Sequence, residues 1–463
     1  MKVSYMTKRK IFLSLALLFL TFWGHIAFAQ TETAETVLAR ISELLSASEY
    51  DEAIALLGTI SLPERGSSHI KLIEASVLSS AGKHTQARAI VEAILKEEPD
   101  NTEALFALAT IEGIQGRDRQ QRTALERLIK VDPDNTAALI ALGNLNLRTR
   151  SLRAAAANFR HVISRDPKNP EALLGMARLL RVNREWEDAE AFFNRVVDLH
   201  PEMAQARSER ARFYRSRGRL REALSDLNTA INLDPADYWI SIDRGNVLMD
   251  LNRKSEALEE FSRAVGINPR EFLAYVYTSG LKDELGDFDG AERDYAALAR
   301  IRPSYHYALE GLGLHKMRKE NWAEAKDAFM EAYRRAPEHS HYALLAAISG
   351  IRMGDLTGAR SFLAQAQTKI NRDTLEWHMF RLYHDLTARN YAGEHNMIVR
   401  LEQEQGPELK AQMMFYMALY YDIRGNTSLA NKYFLLVSDM EIRAIPEWRL
   451  NSWILASRKL RPF

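Results

Sequence analysis

Cysteine is absent from the 463 residues, and that one absence removes several kinds of chemistry. No disulfide can brace the fold, no thiolate can hold a metal, and no N-terminal cysteine can carry a lipid. Other signatures are missing as well. The sequence has no Gly-rich phosphate loop with its lysine, no G-x-S-x-G elbow and no H-E-x-x-H helix. The densest histidine group is His378, His384 and His395, whose first two members are six apart and so do not share a helix face as metal ligands at i and i+4 would. His339 and His341 flank a turn. These read as ordinary histidines, so no cofactor or metal is expected and the chain is read as a non-enzyme.

Long apolar runs are confined to one place. Lys2, Lys8, Arg9 and Lys10 precede an apolar stretch from Ile11 to Phe28, which closes on Ala27-Phe28-Ala29 before Gln30. That layout predicts a secretory signal peptide over residues 1–29, with small residues at Ala27 and Ala29 suiting a signal peptidase. The rival is an uncleaved inner-membrane anchor through residues 11–28, since about eighteen apolar residues is near the lower limit for a span. No membrane span is expected once the signal is gone, and the periplasm is the expected location. Removing residues 1–29 takes four positive and no negative charges from the formal +1, leaving −3. Bulk attraction to nucleic acid is therefore not expected.

Proline is scarce but ordered. Of thirteen prolines, eight stand at 99, 133, 167, 201, 235, 269, 303 and 337, a spacing of 34. Half of them follow Asp or Asn, as in Asp132-Pro133-Asp134-Asn135 and Asp166-Pro167-Lys168-Asn169. Proline stops one helix, and Asp or Asn makes the turn and caps the next. With this proline in slot 32, units begin at 34, 68, 102, 136, 170, 204, 238, 272, 306 and 340. Slot 20 is alanine in all of them but one, where Gln121 stands, and slot 8 is Ala, Gly or Ser in all but the first, where it is Ile41. Small residues at both slots let two antiparallel helices approach, helix A over slots 1–14 and helix B over slots 18–31. Slot 24 adds Phe159, Phe193, Phe261, Tyr295 and Phe329, while Gly82, Gly116, Gly218, Gly286 and Gly354 end helix A.

This pattern resembles the tetratricopeptide repeat, W-x2-L-G-x2-Y, then A-x3-F, then P over 34 residues. The resemblance implies an all-α fold, a right-handed α-α superhelix (solenoid) of about 12 repeats, with helices A lining a concave groove. Ten units keep register over residues 30–373, residues 374–410 form an irregular helical repeat, and residues 411–444 a shifted unit carrying Ala418, Tyr421, Gly425, Ala430 and Phe434. Residues 445–463, opening at Pro446 with Trp448 and Trp453, read as a capping helix over the end of the stack, or alternatively as a partner-binding or dimerising end. Arg210 with Asp226 and Arg244 with Glu260 are predicted structural ion pairs, within about 6 Å.

Members of the family bind peptide segments through helix-A slots 2, 5, 9, 12 and 13. Carried onto this sequence, those slots give a groove of Asn144, Arg148, Arg178, Arg181, Arg212 and Arg215, followed by Asn246, Asp250, Asp283 and Glu284. A basic stretch followed by an acidic one suits a partner segment of opposite polarity, because Arg grips carboxylates in two-point fashion; a solvated charged face is the alternative. Slot 5 holds mostly apolar residues such as Leu72, Phe106 and Ile140, unlike the members that clamp a C-terminal carboxylate. The resemblance thus implies a non-catalytic protein–protein interaction scaffold of the bacterial cell envelope. The alternatives are a single-partner peptide-binding module or an accessory subunit of envelope biogenesis, polysaccharide export or periplasmic flagellar assembly.

Overall fold

Each 34-residue period folds as a helix pair because its turn chemistry leaves little choice. In the computed structural model Asn101, Asn135 and Asn169 turn their side-chain oxygens back to accept from the backbone N–H of Ala104, Ala138 and Ala172 at 2.9, 3.0 and 3.0 Å, capping three successive A helices. The structure describes residues 34–47, 49–59, 66–386 and 391–460, so the signal segment read over residues 1–29 lies outside the described residues. Among them are 25 α-helices and no strand. The fold is an all-α solenoid of tetratricopeptide type.

The chain divides after Leu233 into two compact units. Unit 1 holds the pairs α1 (Ala34–Ala47) and α2 (Tyr50–Leu57), α3 (Ser68–Ser80) and α4 (His84–Glu97), α5 (Thr102–Ile114) and α6 (Asp118–Val131), α7 (Thr136–Arg148) and α8 (Leu152–Arg165), α9 (Pro170–Val182) and α10 (Trp186–Leu199), and α11 (Ala204–Ser216) and α12 (Leu220–Leu233). Unit 2 holds α13 (Tyr238–Asp250) and α14 (Lys254–Ile267), α15 (Phe272–Leu285) and α16 (Phe288–Ile301), α17 (His306–Arg318) and α18 (Trp322–Arg335), α19 (Ser340–Arg352) and α20 (Leu356–Gln367), α21 (Leu375–His384) and α22 (Tyr391–Gln403), α23 (Pro407–Ile423) and α24 (Thr427–Asp439), and a single last helix, α25 (Pro446–Ser457). Odd numbers up to α23 are A helices and even numbers are B helices. The irregular stretch keeps the helix pair although its sequence leaves the register, with Phe380 and Tyr383 fully buried on α21.

Packing within a unit follows from the small-residue slots. The slot-20 alanines, among them Ala155, Ala189, Ala223 and Ala257, are 0% exposed. The slot-8 glycines exist to admit the slot-24 ring: a Cβ on Gly143 would fall 2.6 Å from Phe159, one on Gly245 2.7 Å from Phe261, and one on Gly313 2.7 Å from Phe329. Gly175, on the next A helix, faces the Phe159 ring more closely still, so this ring lies between two glycines on α7 and α9. Gln121, the one departure from alanine at slot 20, is admitted by Gly113, whose Cβ would otherwise meet its amide.

The turn between A and B helices takes a left-handed residue at slot 15 whether or not glycine is there. Gly82, Gly116, Gly218, Gly286 and Gly354 have φ between 73° and 91°, and Arg150, Arg184, Asn252 and Glu320 take φ of 64°, 65°, 57° and 57° at the same slot. A side chain with a Cβ pays about 1–2 kcal/mol there. Arg184→Gly should therefore raise stability by about 0.5–1 kcal/mol after glycine's larger unfolded-state entropy is discounted. The readout is the urea midpoint; an unchanged or lowered value would mean that Arg184 gains something in this turn that offsets the strain.

Candidate binding groove

Three successive A helices of unit 1 bring one charged cluster together. Arg178 on α9 donates from Nε to Glu209 Oε2 on α11 at 2.6 Å and from Nη1 to Asn144 Oδ1 on α7 at 3.2 Å. Gln205 donates to the other Glu209 oxygen at 3.3 Å. Burial alone would push the Glu209 carboxyl up, but the charges of Arg178 and Arg212 outweigh it and hold it below the usual carboxylate range. One turn beyond Arg178, Arg181 sits in the opposite predicament: burial lowers its proton affinity, and the positive charges of Arg178 and Arg212 lower it further against the pull of Glu209. Arg178, Arg181 and Arg212 thus lie close enough for their charges to act on one another and on Glu209. Arg215, partly buried, follows Arg212 one turn along α11.

Glu209 is the residue that sequence reasoning missed. It occupies slot 6, outside the family's groove slots, and its i, i+4 relation to Gln205 was the only local signal.

Slot 13 belongs to stacking and not to this cluster. Arg148 donates to Asp118 Oδ1 at 2.6 Å and to Gln121 Oε1 at 3.0 Å, both on the B helix of the preceding pair. Glu284 is paired in the same way with Lys254 at 2.7 Å, at the start of α14. The last turn of an A helix lies over the first turn of the preceding B helix, and a slot-13 charge is drawn to that neighbour. Asp250, at the end of α13, is exposed, and Asn246 is partly buried on the same helix.

The acidic half of the expected groove is not an open surface. The Asp283 side chain is 4% exposed. It accepts from Arg449 Nη1 at 2.6 Å and from the Tyr295 hydroxyl at 2.9 Å, and His315 Nε2 lies 2.7 Å from its other oxygen. Burial pushes the Tyr295 hydroxyl up, which keeps it a donor. Arg449 comes from α25. That helix was expected to cover the end of the stack; it packs on α23 and α24, as a cap would, but it also reaches back to α15, α16 and α17 along the helix-A face of unit 2. Its polar and aromatic residues find more partners there than a solvent-facing end would offer.

Asp422 on α23 ties the same region together, bonded to Arg352 at the end of α19 and to Arg458 just past α25. Burial would raise its carboxyl, but Arg458 and Arg352 outweigh burial and hold it below its ordinary value. With the folded-state value below the unfolded one, the stability it gives is present above about pH 4 and is lost as pH falls through the depressed value. Between about pH 6 and about pH 3 the wild type should lose more thermal stability than Asp422→Asn. Equal losses would remove Asp422 from the acid response.

The predicted structural pairs are present. Arg210 forks onto Asp226 with two bonds of 2.7 Å, Arg207 stands 3.7 Å from the same carboxylate, and Arg244 donates to Glu260 at 2.6 Å. They bind helix A to helix B within a pair and are not available to a ligand.

A stack of antiparallel helix pairs that presents a charged helix-A face is a helical-repeat interaction scaffold. Sequence profiles of the family described as tetratricopeptide repeat match residues 147–212 in one form and residues 122–170, 208–272, 242–306 and 310–373 in another, together more than half of the chain. The chain belongs to the tetratricopeptide-repeat family, whose members are generally non-catalytic protein-interaction scaffolds. Among solved structures it is similar to a tetratricopeptide repeat protein from Parabacteroides merdae, at 17% identity over 53% of this chain and 98% of that one, with a TM-score of 0.45. It is similar also to YrrB, described as a TPR protein with an unusual peptide-binding site, at 24% identity over 42% and 97% with a TM-score of 0.35. The human IFIT1 dimer with PPP-AAAA matches at 14% identity over 95% and 96%, with a TM-score of 0.42. No curated protein matches the chain.

Proposed function

We propose that this chain is a non-catalytic interaction scaffold of the bacterial cell envelope, exported by residues 1–29, and that unit 1 grips an acidic segment of a partner through Arg178, Arg181 and Arg212. The observation that carries the reading is the desolvated guanidinium of Arg181 beside those of Arg178 and Arg212. Burial and the like charges of those two neighbours lower its proton affinity, against the pull of Glu209. A partner carboxylate entering that cluster replaces lost solvation and accepts two-point bonds, so binding relieves an existing cost. Arg178 is preorganised by Asn144 and Glu209, which limits the entropy lost on binding.

The binding reading is tested by titrating the mature chain with fluorescent peptides of equal length, one carrying paired Asp and Glu residues and one with those residues as Asn and Gln. Preference for the acidic peptide, weakening with salt, is expected. Equal affinity for the two would dispose of the acidic-segment reading. Export is tested separately, by cell fractionation with and without residues 1–29.

A further inference from the structure

The helix-A face of unit 2 is filled by the chain itself, through polar and aromatic contacts of α25. Toward α23 and α24 apolar packing is joined by polar bonds: Leu450 and Leu455 are buried and Asn451 donates to the Phe434 carbonyl at 3.0 Å. Toward α15, α16 and α17 the contact is charged and aromatic. Arg449 meets the Asp283 carboxylate, on which Tyr295 and His315 also converge. The Trp453 ring lies 5.4 Å from Phe288 and 5.2 Å from His315, with the Arg318 guanidinium 5.7 Å away. Glu447, 0% exposed, accepts from the Tyr416 hydroxyl at 2.6 Å and from the Gln412 amide at 2.9 Å.

Buried ion pairs contribute little net stability compared with apolar packing, and in some proteins they serve to fix register. A face built of Asp283, Tyr295, His315, Gln412 and Tyr416 can also be solvated when its occupant leaves, as a non-obligate interface must be. A helix whose only task was to seal the stack would need neither property.

We propose that the face formed by α15, α16, α17 and α23 is a helix-docking site, that α25 is its occupant in cis, and that its partner in trans is an amphipathic helix of another protein carrying the acid-x-base-x3-Trp pattern of Glu447, Arg449 and Trp453. Such a helix offers Asp283 the same guanidinium and Tyr416 the same carboxylate, and it binds by exchanging with α25. The proposal uses unit 2 alone and stands whether or not the unit-1 arginines bind an acidic segment.

Hydrogen exchange on the full wild-type chain gives the first test. The amides of α25 should exchange at least about tenfold faster than those of α17 and α23, because α25 opens by itself. The second test uses a labelled synthetic peptide of residues 445–460. The full chain bearing Arg449→Ala, whose cis competitor is weakened, should bind it at least about tenfold tighter than the wild type, and a peptide with Glu at the Arg449 position should bind neither. Exchange of α25 in step with α23 and α24, or a peptide that binds neither protein, would make α25 a permanent structural element and overturn the proposal. A concentration-dependent dimer abolished by Arg449→Ala would assign the site to a second copy and overturn the heterologous partner.

Discussion

Phe159→Ala should destabilise unit 1 by about 3–5 kcal/mol, the range for truncating a buried aromatic. The ring is 0% exposed and stands between Gly143 on α7 and Gly175 on α9, so it joins one helix pair to the next. Glycine on both sides leaves no side chain at those two positions to fill the space, so a large cavity term is expected. In a repeat array stability is a sum of local and nearest-neighbour contributions. The loss therefore falls on the α7–α9 junction, where Asn144 and Arg178 hold the arginine cluster in register. Urea denaturation should show an early transition in the variant and reduced protection of α7, α8 and α9. A cost below about 1 kcal/mol would mean that the two A helices close over the gap, against the close approach that the glycines already allow.

Charge reversal at Arg181 should have the largest effect on binding. Removing the cation loses its bonds to the partner carboxylate, and the introduced glutamate repels it beside Glu209. Disrupting one partner of a buried charged pair costs about 2–5 kcal/mol, a loss of about 30-fold to several thousandfold in affinity. Arg148→Glu is the matched control. Arg148 is occupied with Asp118 and Gln121 at an exposed stacking position, so reversing it should change affinity by less than about threefold. Comparable losses for both variants, measured by anisotropy with the acidic peptide, would point to a diffuse field of positive charge and not to a site at Arg181.

Much of the architecture was legible because the period repeats its reasons. The slot-32 prolines, the slot-20 alanines and the pairing of slot-8 glycine with slot-24 phenylalanine are local constraints, and each appears where the spacing predicts it. The left-handed turns at Arg150, Arg184, Asn252 and Glu320 were not visible, because the register of the two helices imposes that conformation even where glycine is missing. The groove was only half legible. Asn144 and Arg178 are brought together across 34 residues, one period, which the repeat pattern carries. Asp283 and Arg449 are 166 residues apart, and their contact depends on the summed curvature of the intervening helix pairs of unit 2, a quantity no single period contains. Slot 13 failed for a simpler reason: its side chains reach a closer partner on the preceding B helix before they reach the groove.

The measurement that bears most directly on the central claim is cross-linking and pull-down of the full chain from its native cells, run in parallel on the wild type and on Arg178→Glu, Arg181→Glu, Arg212→Glu. The account predicts envelope proteins recovered with the wild type, cross-linked to α7, α9 and α11 through segments rich in Asp and Glu, and lost from the triple variant while circular dichroism shows its helices intact. Recovery of the same proteins, cross-linked at the same helices, from a folded triple variant would contradict it.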